Sequence, residues 1–494
     1  EQAIIRARAN DALYLVWTRM GIGDQYSTLQ AKPELIVEWD EASCTQLVYL
    51  YSEITQRLEG RIDEYFNQRG KKRTRPTPPA GTPPRPGQVL GRPEPSLRLA
   101  CIDVGGGTTD LMVTTYFCPS ETVMQNGREV RRPGRVMEPE QTFREGFRIA
   151  GDDLVRSVIA DIVLPAVATS AEAQGAYGIR ARLTELFGGD VAGLHQQAVQ
   201  QRRQFALRVL RPLATALIQG AETAAVHDHI VVDPRQVLPT RAGQVYYDPE
   251  TDSDVTPPDE LDLPQGLLDY LDAAIRSQGA PNWSLADLVL DIPRDRVDQA
   301  VRATFQTAIG NMVEVVDYLD ADIVLLTGRP SKLPALRALV EETMIVPPDR
   351  LVSMHNYRTE SWYPHRDRVT QKIGDPKSTV AVGGILIALA DNQLPNFTLR
   401  TAAFRMRSTA RFIGEMELNG QIRRDRVLFN DVNLDAKKSA QDERAQVQMS
   451  YPIYIGARQL PLERWTTTPL YRLDFANTSA LRPDTPLTVI LERP

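Results

Sequence analysis

The stretch that most constrains this chain is Leu99–Tyr116, LACIDVGGGTTDLMVTTY. An apolar run ends on Asp103, three glycines follow at 105–107, and a second apolar run starts at Asp110. The pattern predicts two strands joined by a turn that carries no side chain. A tight hairpin that serves only as a turn needs neither three glycines nor an acid ahead of them.

Gly105, Gly106 and Gly107 are expected to take positive φ and let a ligand approach backbone directly. Successive N–H groups would then form a nest for phosphate oxygens, with Thr108 and Thr109 at its outgoing edge. Asp103 can hold a magnesium ion directly or through water. An anion nest beside an acid is consistent once a cation lies between them, so the stretch points to a metal-bound polyphosphate.

Composition narrows the field. At 494 residues the chain has room for roughly three domains, and a hydrophobic share of 42% with 24% charged residues is ordinary for a globular protein. The net charge of -6 argues against nucleic acid as a partner. Three cysteines, Cys44, Cys101 and Cys118, are too few for a disulfide framework and favour a reducing compartment. Five scattered histidines offer no zinc spacing. No run approaches the ~18 uninterrupted apolar residues of a membrane span. The chain opens EQAIIRARAN without a methionine, as expected of a fragment or processed product.

Along the chain, Ala3 to Met20 has helical spacing, and PELIVEWDEASCTQLVYLY starts extended and turns helical near Ala42. Lys71–Pro95 is rich in proline and arginine, so it reads as a loop or disordered insertion that is either solvated or docks a partner. QTFREGFRIAGDDL reads as a turn into a helix that begins near Gly151. A long helix carries Leu207, Val209, Leu213 and Leu217, HDHIVVD reads as a short strand, and Tyr246–Pro264 reads as an acidic loop. Pro293–Leu319 is the clearest helix, with apolar residues every three or four positions from Val297 to Leu319. ADIVLLTGRPSKLPALRALVEE is a strand, a turn at Gly328 and a helix. STVAVGGILIALA reads as a buried helix capped by Ser378. From Asn396 the chain turns β-rich, with an Asn419–Gly420 hairpin turn.

DVGGGTTDL resembles the second phosphate-binding segment of the actin-like ATPase superfamily: actin, sugar kinases and DnaK-type chaperones. The other segments follow in matching order. WDEASCTQLVYLY is similar to the chaperone segment whose glutamate positions the attacking water, which makes Glu41 the matching residue and Asp40 its rival. AGDDL resembles the Gly-Gly-Glu-Asp-Phe turn at Gly151. IVLLTGRPSKLP resembles the adenosine segment, with Gly328, Ser331 and Pro334 in matching places, and VAVGGILIALA resembles the helix that returns to the first lobe. Within the superfamily, the basic proline-rich insertion and the β-rich tail are most similar to the bacterial virulence factor SrfB family, whose members are about twice this length, so the chain would be the C-terminal portion.

The resemblance implies an α/β fold: an actin-like, ribonuclease H-like ATPase lobe with a mixed sheet flanked by helices, plus a C-terminal β-rich module. Its expected parts are residues 1–70 from the first lobe, the insertion 71–95, the second lobe 96–376, the returning helix 377–395 and the β module 396–494. It implies ATP or ADP as ligand and magnesium at Asp103, with Glu41 or Asp40 orienting water. The family's first phosphate hairpin, Asp-x-Gly-Thr, is missing and would lie upstream of Glu1. Arg329 stands where the family keeps a second glycine, and would crowd the nucleoside or stack on it. Arg202 or Arg203 stands for the adenine-contacting helix, the alternative being a solvated helix face. The implied function is an ATP-driven switch in the bacterial cytoplasm, with delivery to a host left open, acting on a protein partner through the insertion or the β module. The alternatives are a non-hydrolysing scaffold and, ranked below it, a small-molecule phosphotransferase.

Overall fold

The structure is a computed structural model that describes residues 2–22, 35, 39–75, 91–125, 128–132, 134–188, 195–239, 246–248, 253–255, 262–345, 347–404, 408–430, 432, 444–464, 467–476 and 486–492. Helices α1 (Gln2–Arg19), α2 (Glu41–Tyr51) and α3 (Ile62–Arg69) lead into the sheet. Most of the run expected to be extended before Trp39 lies outside the described residues.

The core of the molecule is a curled, mixed, seven-stranded sheet. Its strands are β1 (Lys71–Thr74), β2 (Pro93–Val104), β3 (Thr109–Phe117), β4 (Val136–Phe147), β5 (Ile323–Thr327), β6 (Leu351–Ser353) and β7 (Thr398–Leu399). The order is β6-β5-β2-β3-β4-β7, with β1 paired to the start of β2. The β2–β3–β4 meander is antiparallel, while β5 and β6 join it in parallel.

Side chains alternate across a strand, and here both faces are covered, so β2 reads as continuous apolar sequence. Leu97, Leu99 and Cys101 enter one core with α2 and helix α8 (Ser378–Leu389). Ala100, Ile102 and Val104 enter the other, with helices α4 (Gly151–Val158), α5 (Arg211–Ala221), α6 (Arg294–Tyr318) and α7 (Pro334–Thr343). Asp103 continues the face of Leu99 and Cys101, so it ends the strand under α2 and α8.

Those two helices approach at backbone contact. A methyl group on Gly383 would lie 2.0 Å from the carbonyl oxygen of Cys44, so only glycine fits there. Beside it the Thr45 and Thr379 hydroxyls are 2.8 Å apart.

Several expectations change. Gln141–Phe147 is the end of a 12-residue strand, because its residues pair with β3 from Thr109 to Thr114. The ends of the proline- and arginine-rich segment are strands: Lys71–Thr74 pairs with Pro93–Ser96, and Arg73 forms a two-pronged bond to buried Asp322 at 2.6 and 3.0 Å. Its middle, residues 76–90, lies outside the described residues. Ser378 is the first residue of α8, not its cap, and its hydroxyl donates to the Asp375 carbonyl. Leu207 is exposed, while Val209, Leu213 and Leu217 are buried. Most of the acidic loop 246–264 lies outside the described residues, apart from a short ladder between Tyr246–Asp248 and Ser253–Val255 and its end at 262–264, where Leu263 is buried in the core.

The continuous helical run Gly151–Ala173 is long and apolar enough to cross a membrane. Leu154, Val158, Val163, Val167 and Ala171 of that run are packed in the core.

The C-terminal region forms a four-stranded sheet around Ile453–Arg458 and a two-stranded one, Arg444–Met449 with Leu487–Glu492. Phe397, Leu399 and Phe404, grouped by composition with that region, belong instead to the core under α2 and α8. The β-rich part meets the main body where Gln459 accepts the Arg144 N–H at 3.0 Å and Arg464 pairs with Glu314 at 2.6 Å.

Candidate functional site

The β2–β3 hairpin pairs as far as Val104 and Thr109, leaving 105–108 as its loop. None of Gly105, Gly106 and Gly107 adopts a left-handed backbone, which corrects the expected positive φ. What the glycines provide is bareness. A methyl group on Gly106 or Gly107 would meet nothing within 4 Å, so the loop is an open ledge.

Helix α4 sets the direction of that ledge. Its first N–H groups, from Gly151 and Asp152, donate to the carbonyls of Gly105 and Gly106 at 3.0 and 2.8 Å. All peptide bonds among the described residues are trans. A trans peptide aims its C=O and following N–H in opposite directions. The N–H groups of Gly106 and Gly107 therefore face away from α4, and no backbone carbonyl among the described residues accepts them. Gly151 is thus a support for the loop; its own amide is occupied. Thr109 is also structural, since its hydroxyl donates to the Ile149 carbonyl at 2.6 Å. Thr108 is exposed and donates to Asp110 Oδ2 at 3.0 Å.

Asp103 and Asp110 are direct cross-strand partners, so their carboxylates share a face. Asp103 is only 5% exposed, and its Oδ1 is buried without a hydrogen-bond partner. Burial pushes its carboxyl up to about 6; Lys377 opposes the shift and Glu41 adds to it. Burial also raises Asp110 above the ordinary carboxylate range.

Lys377, directly before α8, reaches this acid. Its Nζ donates to Glu41 Oε2 at 2.7 Å and lies 3.7 Å from Asp103 Oδ2. Burial works against the ammonium, and the Glu41 hydrogen bond and Asp103 outweigh it, so the group is held above the usual lysine value. Little in the local sequence singles out this residue; its one signal is its place just before the helix that packs on α2.

Asp40 and Glu41 separate cleanly. Asp40 is the N-cap of α2, with Oδ1 accepting the Ser43 amide at 2.7 Å and Oδ2 the Ser43 hydroxyl at 3.0 Å. Both of its oxygens are engaged in starting the helix. Glu41 projects to the Asp103 side and is joined to it by Lys377.

The opposite wall comes from the turn after β5. Gly328 has φ +85°, a region that disfavours side chains, and a methyl group on it would lie 2.5 Å from Asp103 Oδ1. Ser331 is buried, its hydroxyl donating to the Gly328 carbonyl at 2.7 Å, so it closes the turn. Arg329 forms a two-pronged bond to Glu222 at 3.0 and 3.3 Å. Arg202 caps a helix end through the Gly188 and Glu185 carbonyls, and Arg203 is exposed. Beyond Gly328 opens a cavity of about 460 Å³, lined by Ser331, Lys332, Pro334, Glu222, Thr223 and His355. Burial, then Lys332, Arg337 and Lys372, push His355 down to about 4, so it is neutral at pH 7.

Among the described residues, no group of three or more His, Cys, Asp or Glu side chains is arranged to hold a metal ion. Asp103 Oδ1 still fits one hard cation ligand position, the remainder of a magnesium shell being supplied by water and phosphate oxygens. Compared with curated proteins, the chain has no match. The family model described as virulence factor SrfB matches residues 1–494, and the protein belongs to that family.

Proposed function

We propose that this chain carries an actin-like ATPase lobe and works as a nucleotide-binding switch in the bacterial cytoplasm, binding ATP or ADP with magnesium and signalling occupancy to a protein partner. The observation that carries this reading is a buried, unpartnered carboxylate oxygen on Asp103, beside a side-chain-free loop whose amides face outward. The adjoining cavity has room for a nucleoside.

In this reading the amides of Gly106 and Gly107 take phosphate oxygens. Asp103 would hold the magnesium, which neutralises phosphate charge when bound. Glu41 would orient water in this reading, and Asp40 would not, since both of its oxygens are engaged with Ser43 at the start of α2. The partner would be met through the proline- and arginine-rich segment or the C-terminal β sheets.

Calorimetry on the intact polypeptide tests this. Heat of ATP or ADP binding that requires Mg²⁺ and vanishes in Asp103→Ala is expected. Absence of heat with either nucleotide overturns the reading.

One observation favours the alternative, a scaffold that binds without turnover: the Glu41 carboxylate is already held by Lys377 at 2.7 Å. Phosphate release from bound ATP supports the switch. Binding with no release supports the scaffold.

A further inference from the structure

The acidic side of the cleft already contains a cation. Lys377 Nζ bridges Glu41 and Asp103, which come from different elements, α2 and β2. The ammonium approaches Asp103 Oδ2 while Oδ1, pointing at bare Gly328, stays unpartnered and buried. An ammonium and a divalent ion on one carboxylate repel each other, and magnesium binds at about 2.0–2.1 Å, closer than the ammonium sits. The described carboxylates alone form no metal cluster. A divalent ion must therefore displace the lysine or bring its own ligands.

We infer that Lys377 is an internal counter-cation that keeps the Asp103–Glu41 pair closed to free divalent metal, so that metal enters only together with a polyphosphate, whose oxygens both complete the metal shell and attract the released ammonium. This rests on reading Asp103 as the metal-side acid of a nucleotide cleft. It assigns Lys377 a positioning role that sets the order of binding.

Manganese is the probe, followed by paramagnetic resonance of the free ion with the intact polypeptide. Without nucleotide, wild type is expected to leave millimolar Mn²⁺ free. Lys377→Met is expected to bind at least tenfold more tightly, and adding Asp103→Asn to it should abolish the gain. Lys377→Arg, which keeps the positive charge, should match wild type. Lys377→Gln, checked for folding by circular dichroism, serves where the methionine variant does not fold. With ADP present, wild type should take up Mn²⁺. Equal uptake by wild type and the neutral variants, or uptake by neither, overturns the inference. Absence of any ADP heat in wild type and variants overturns the nucleotide reading instead, and the metal-only comparison still decides whether Lys377 excludes the ion.

Discussion

A methyl group on Gly328 would lie 2.5 Å from Asp103 Oδ1 and 2.0 Å from the Val104 carbonyl oxygen. The turn after β5 thus presses bare backbone against the end of β2. Gly328→Ala adds both that overlap and the strain of a side chain at φ +85°. It is expected to cost about 2–4 kcal/mol in urea unfolding. A loss below about 0.5 kcal/mol would contradict the packing.

Asp103 makes stability depend on pH in an unusual direction. Its folded carboxyl titrates near 6, against 3.8 ordinarily, so between those values the folded state binds more protons. Stability from this group is greatest at the acid end and falls as pH rises through about 6. Asp103→Asn is expected to be more stable than wild type at pH 7.5 by about 1–3 kcal/mol, because each tenfold change in proton affinity on folding is worth ~1.4 kcal/mol. The gap should close near pH 4. Thermal unfolding at both pH values checks this; an equal difference at the two would refute it.

Ser331 and Arg329 sit two residues apart in the same turn and should behave differently. The buried Ser331 hydroxyl holds the Gly328 carbonyl at 2.7 Å, so Ser331→Ala should lose about 1–2 kcal/mol. The Arg329–Glu222 pair is half open to solvent on the arginine side, and Arg329→Ala should lose less than about 1 kcal/mol. Urea midpoints of the two variants give the ranking directly.

Asp322 anchors the start of the proline- and arginine-rich segment. Its side chain is fully buried, takes both Arg73 nitrogens and also accepts the Arg98 amide at 2.8 Å. Asp322→Ala removes the buried partner of Arg73, leaving it the more exposed Asp320 at 3.4 Å, and unpairs the Arg98 amide, so it is expected to cost about 2–4 kcal/mol, seen as a lowered Tm.

Thr74 and Pro93 are antiparallel partners, so the segment between them leaves and returns at one place. Exchanging residues 76–90 for a short glycine-serine link should shift Tm by no more than a few degrees, since the entropy of closing a chain between two fixed ends depends only weakly on its length. A large drop would show that those residues support the core.

The parts of the fold that could be read from residue order were those with strong local signals. The α6 periodicity from Val297 to Leu319, the β2–glycine–β3 pattern and the Asn419–Gly420 turn all stand where the spacing puts them. Strands whose evidence is a distant partner were harder. Gln141–Phe147 mixes polar and apolar residues and becomes strand because β3 lies beside it. The same holds for Lys71–Thr74, whose basic residues find Asp320 and Asp322 far along the chain. At the site, Asp103 and the loop were legible from residue type. Lys377 was not, because its importance lies in meeting Glu41 across 336 positions of sequence. The backbone of the glycines departs from expectation because bare residues suggest left-handed turns, whereas the loop closes through the Gly105–Thr108 hydrogen bond in ordinary conformations.

The bonds from α4 to the glycine loop tie that loop to a long, core-packed helical run. Gly151–Ala173 is one helical run of 23 residues, about 35 Å at 1.5 Å per residue, and its leading amides are fastened to Gly105 and Gly106. Since Leu154, Val158, Val163, Val167 and Ala171 seat that run in the core, the ledge beside Asp103 is moored to an element that is itself anchored from end to end.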